Sequence, residues 1–141
     1  MKKKTNGDHA KGLLMKAEND FTLIRLALEN EGPYDGVCFH AQQAIEKMLK
    51  AILAFHDHVY PKTHQLSRLQ SLCLEVDPTL LIQEFEFEQI SAYATGGRYD
   101  EFFEPEFETA QLAYETALEV RKIVYHALPS TVHPELKKDN H

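Results

Sequence analysis

Apolar residues recur every three or four positions through most of the chain, the spacing of amphipathic helices, and nowhere alternate as a half-buried strand requires. Leu13, Leu14, Ala17, Phe21, Ile24 and Leu28 predict a first helix over about Asp8–Glu31. Gly32-Pro33 ends it, because proline disfavours helix in the residue before it. A second helix follows from Tyr34 or Asp35 to His56. On a wheel of roughly 100° per residue, Ala41, Ile45, Met48, Leu49, Ile52 and Leu53 fill one side of it, extended by Ala44 and Phe55. His40, Gln43, Lys47 and Lys50 gather on the opposite side. Gln42 falls inside the apolar arc, where an amide without partners costs about 1–3 kcal/mol, so it is expected to tie this helix to a loop.

Thr63 or His64 opens a short third helix with Leu66, Leu69, Leu72, Cys73 and Val76 inward. Asp77, a good N-cap, and Pro78 at the first helical position predict a fourth helix. It carries Leu81, Ile82, Phe85, Ile90 and Tyr93 and frays near Thr95. Gly96 to Pro105 reads as an irregular segment with three aromatics. The fifth helix spans about Glu106–Leu128, stopped by Pro129. Residues 1–7 are expected to fray, and 129–141 to form a flexible polar tail. The pattern predicts an all-α, antiparallel up-down helical bundle of four long helices plus one short one, forming a single domain over 8–128.

Composition narrows the uses of such a bundle. The 141 residues suffice for one domain with a real core. A net charge of −7 argues against broad binding to duplex nucleic acid, which needs a basic footprint, and no specific DNA binding is expected. A locally basic cleft for a nucleotide or RNA stays open. Cys38 and Cys73 sit in apolar helical patterns, as buried small hydrophobes rather than a disulfide or reactive thiols. No apolar run is long enough to span a membrane, and no apolar stretch follows Lys2-Lys3-Lys4 to make a signal segment, so a cytoplasmic protein without membrane contact is expected.

Three motifs carry a resemblance: Phe39-His40-x-Gln42-Gln43-Ala44-x-Glu46-Lys47-x-x-Lys50-Ala51, then Pro61-x-Thr63-His64-x-Leu66, then Arg98-Tyr99 before the last long helix. In order and spacing the chain resembles the HEPN domain family over roughly residues 9–128. It departs at one point: Asp100 stands where the family has proline after Arg-Tyr, which loosens that loop. The resemblance implies a helical bundle that pairs as a homodimer, often beside a small nucleotidyltransferase-like partner, as in toxin–antitoxin pairs. Some relatives are toxin-like RNases, and others are linked with nucleotide binding.

Two site readings follow. In the first, His40, Gln43, Lys47 and Lys50, joined by His64, Arg98 and Tyr99, receive a phosphate-bearing ligand: lysine supplies point charges and arginine a bidentate grip. The bland counterpart is a solvated face with the lysines paired to Glu46 or other carboxylates. The second reading is a metal-independent RNase. The resemblance implies Arg followed four to six residues later by His, and Arg121 with His126 fits that string. Yet the two point about 140° apart on a regular helix, and the related motif belongs near Arg98, which no such His follows. Arg121 lies on the side of Tyr114, Leu118 and Tyr125, where an ion pair or ring stacking is the structural alternative. General-base catalysis by Glu46 lacks a nucleophile or metal partner. His56 and His58 lack further ligands, so neither a metal nor a cofactor is expected. The acidic run from Asp100 to Glu108 is a solvated face or a contact for a basic partner. The binding module is the favoured reading and the RNase its alternative; a third is an assembly surface active only with a partner protein.

Overall fold

In the computed structural model, which describes residues 3–93 and 101–136, helix begins earlier than the apolar pattern suggests. Thr5 caps α1 (Asn6–Glu29): its hydroxyl accepts from the Asp8 amide at 3.0 Å, and the Asp8 carboxylate accepts from the Thr5 amide at 2.9 Å. This reciprocal box satisfies two donors that a fraying end would leave to water. Glu31 and Gly32 then turn the chain with positive φ (60° and 115°), a conformation that suits glycine. The connection to α2 (Tyr34–Phe55) is short, so the two helices run antiparallel.

Helix α2 is the centre of the molecule, touching α1, α3 (Leu66–Val76), α4 (Glu88–Ala92) and α5 (Phe107–Ala127). Its predicted apolar arc is the core: Ala41, Ile45, Met48, Leu49, Ile52 and Leu53 are buried to 1% exposure or less. The α1 stripe of Leu14, Ala17, Phe21 and Ile24 packs into the same core. Among the described residues the all-α bundle of four longer helices and one short α-helix is as the pattern predicts.

The short helix is α4, however, and not the third. As far as Tyr93, the helix predicted from Asp77 to Thr95 is replaced by turns up to Phe87 and five helical residues after them; its last two positions lie outside the described residues. Asp77 does cap, but it caps a turn: its carboxylate accepts from both the amide and the hydroxyl of Thr79. The Gln70 amide then donates to the carbonyls of Ile82 and Phe85, oxygens that helical N–H groups would otherwise take. Freed from helical spacing, Leu80, Ile82 and Phe87 all reach the core, while Leu81 is left 74% exposed.

Beyond α5 the chain does not start out as a free polar tail. A 3₁₀ turn at Ser130–Val132 packs on α1, burying Val132. His133 donates from Nε2 toward the carbonyls of Tyr125 and Leu128, with its ring 4.8 Å from that of Tyr125. Among the described residues no helix is long and apolar enough to cross a membrane.

Candidate functional site

The polar side of α2 is organised by two buried carboxylates. Asp20 reaches it from α1 and is 4% exposed; its Oδ1 lies 2.7 Å from His40 Nδ1 and its Oδ2 2.7 Å from Lys47 Nζ. Glu46, on α2 itself, is 5% exposed. Its Oε1 accepts from His64 Nδ1 at 2.8 Å and from the Gln42 amide at 3.1 Å, and its Oε2 from Lys50 Nζ at 3.0 Å. Burial alone would raise the Glu46 pKa, but the bonds from His64, Lys50 and Gln42 outweigh it and hold the carboxyl below its ordinary value. Gln42 has no exposed surface; it also donates to the His64 carbonyl at 3.3 Å and accepts from Gln43 at 2.7 Å. It ties α2 to the chain entering α3; the glycine-containing loop lies outside the described residues.

His40, Gln43, Lys47, Lys50 and His64 thus form one row, and its cations are paired. Two carboxylates balance two ammonium groups. A carboxylate only accepts, so each histidine carries its proton on Nδ1 and leaves Nε2 free of that bond. Each lysine gives one of its three donors to its carboxylate. Arg98 and Tyr99, expected to complete the site, lie outside the described residues.

Asp20 and Glu18 were not legible as site residues. On α1 they sit about 80° to either side of the apolar stripe centred on Phe21 and Ala17, where α1 borders its neighbours. Acids flanking a stripe opposite basic residues are the signal that could have found them. Glu18 faces α5: its Oε1 accepts from Arg121 Nε at 2.6 Å and from the Tyr125 hydroxyl at 2.8 Å. The Arg121 guanidinium lies 4.7 Å from the Tyr125 ring centre and 5.8 Å from that of Phe21. Burial pulls the Arg121 pKa down, but Glu18 outweighs it and raises it; burial and Glu18 both push Tyr125 up. Arg121 is therefore the structural ion pair its wheel position suggested. His126 points away from it, into a cleft with Leu80, Glu119 and Ile123. Within one chain the candidate catalytic pair is divided between two faces of α5.

Neither cleft between the 77–93 segment and α5 includes a residue of the polar row. Among the described residues no group of three or more His, Cys, Asp or Glu side chains is placed to hold a metal ion. In comparison with known proteins, the model of the HEPN domain family matches residues 10–127. No curated protein and no solved structure gives a significant match.

Proposed function

The chain belongs to the HEPN domain family, and from that premise we propose that it is a non-catalytic homodimeric module binding a nucleotide or other phosphate-bearing ligand at the polar row of α2. The observation that carries this reading is the sharing of Asp20 by His40 and Lys47, and of Glu46 by His64 and Lys50. The buried carboxylates hold four donors in fixed positions on one surface. A phosphate takes the remaining lysine donors as point-charge contacts, without the ordering cost of recruiting free side chains. Each imidazole that is protonated turns Nε2 into a further donor and adds one positive charge to an otherwise balanced face. Exposed Met15, Leu23 and Leu26 along α1 offer a second copy an apolar strip, which supports the dimeric form of the proposal.

Catalysis has no comparable support, because Arg121 is engaged by Glu18 while His126 faces elsewhere. Family membership is the ground for proposing a nucleotidyltransferase-like partner in a toxin–antitoxin-type pair. Titration calorimetry with AMP, ATP and inorganic phosphate tests the binding reading. Lys47→Ala and Lys50→Ala are each expected to weaken binding about tenfold, near 1.4 kcal/mol. Wild-type protein that binds none of these at millimolar ligand, or that cleaves RNA in a manner lost in His126→Ala, overturns the proposal.

A further inference from the structure

The chain's charge is unevenly distributed. Residues 75–119 hold twelve of its 22 acidic side chains and one of its 15 basic ones, leaving ten acids and fourteen bases for the rest. None of the ion pairs among the described residues uses a carboxylate of this stretch. The acids do not cover a featureless surface. The two clefts beside α5, of about 380 and 910 Å³, share Glu84 and Phe85 and so adjoin each other as one groove. One wall is α5, presenting Thr109, Leu112, Thr116, Glu119 and Ile123 at three- and four-residue spacing. The other wall is the non-helical 77–93 segment. Leu112 (64% exposed) and Leu81 (74% exposed) stand on its lips, with Ile90 and Phe85 deeper. From Thr109 to Ala127 the α5 wall runs roughly 27 Å, the length of a helix of about 18 residues.

We propose that this groove docks a basic amphipathic helix of a partner protein. Its apolar floor accepts the partner's apolar residues at i, i+4 and i+7, and Glu84, Glu86 and Glu119 along the rim, which outnumber Lys122 there, meet its lysines or arginines. The acidic rim repels nucleic acid. Among the described residues a second copy of this chain offers no amphipathic helix with an excess of basic over acidic side chains. The two lysines of α2 are matched in number by Asp35 and Glu46 on the same helix, and the three Lys and Arg residues of α1 are interspersed with Asp8, Glu18, Asp20 and Glu29. The groove shares no residue with the polar row, so this inference stands or falls independently of the phosphate reading.

Fluorescence anisotropy with a synthetic Leu/Lys amphipathic helix of about 18 residues tests it. The control is a peptide of identical composition, scrambled so that its apolar periodicity is lost. The amphipathic probe is expected to bind, more weakly at high salt, and the scrambled one to bind at least about tenfold less tightly. Leu81→Asp with Leu112→Asp is expected to weaken binding at least about tenfold, and Glu84→Lys with Glu119→Lys to weaken it and flatten its salt dependence. These positions are exposed, so circular dichroism should show the fold intact. Equal binding of the two peptides, or unchanged binding by either double variant, overturns the proposal. So does a wild-type dimer that Leu112→Asp splits, since a second copy then covers the groove.

Discussion

Glu46→Gln isolates the charge on which the polar row depends while keeping the shape of the side chain. The wild-type carboxylate takes three donors, from Gln42 and His64 on one oxygen and from Lys50 on the other. Glutamine must turn an NH₂ toward one of these sets. The less costly choice faces Lys50, whose side chain is 15% exposed and can recruit water. That choice forfeits one charge-assisted bond, worth about 1.5–3 kcal/mol, and weakens the two that remain. Losing one partner of a buried pair typically costs about 3–5 kcal/mol. Water access to Lys50 and to the 57%-exposed His64 reduces this, as does relief from burying a charge. The expected net loss is about 2 kcal/mol near neutral pH.

The pH dependence separates this mechanism from a packing defect. The folded-state pKa of Glu46 lies below its ordinary 4.5. Its stabilisation is therefore complete above that value and is lost as pH falls through the lower folded one. The amide that replaces it does not titrate, so the gap between variant and wild type should close in acid. Urea unfolding at neutral pH and at a series of pH values below 4.5 measures it. A neutral-pH gap under about 0.5 kcal/mol, or one that stays constant into acid, refutes the reasoning.

Gln42→Leu should cost about 1–3 kcal/mol by urea unfolding, because it strands the His64 carbonyl and removes one donor from the Glu46 carboxylate in a fully buried position; a neutral result would mean that the amide is dispensable. Burial pushes the Cys38 thiol up to about 11 and the Cys73 thiol up to about 12, and Cys73 donates to the Leu49 carbonyl. Both thiols should resist a thiol reagent in the native protein and react on unfolding; prompt native labelling would contradict the packing described. Arg121→Ala should destabilise by about 2–3 kcal/mol, leaving Glu18 with only the Tyr125 hydroxyl. Exposed His126→Ala should stay within about 0.5 kcal/mol of wild type; equal losses would undo the division of roles along α5.

What was legible in the sequence depended on whether one period governed a segment. Through α2 the apolar arc, the opposite polar side and the misplaced Gln42 all follow from 3.6 residues per turn, and each is found as read. In residues 77–87 the local signals were correct but ambiguous. An aspartate followed by proline starts a helix or a turn with the same first bond, and the choice was made by Gln70, seven residues earlier, capturing two carbonyls. The polar row was half legible. Its α2 members share a face by periodicity, whereas Asp20 belongs to another helix, and only packing discloses that it neutralises Lys47. Pairing across helices is not written in the spacing of either one.

The same cross-helix pairing decides how Arg121 should be regarded. Phe21 and Ala17 seat α1 in the core, Asp20 at one edge pins it to α2, and Glu18 at the other pins it to α5. For Arg121 to meet an RNA phosphate it must leave Glu18, which is 8% exposed and would keep only the Tyr125 hydroxyl. That release costs several kcal/mol unless another cation replaces it. Glu18→Gln removes the restraint and frees the guanidinium. If this chain held a latent nuclease blocked only by that ion pair, the variant would cleave RNA faster than wild type. The expected result is no increase, measured on a labelled RNA with circular dichroism confirming the fold, because releasing Arg121 does not bring His126 around the helix to meet it. A rise in cleavage that Glu18→Gln with His126→Ala abolishes would refute this and restore the divided pair as an active site.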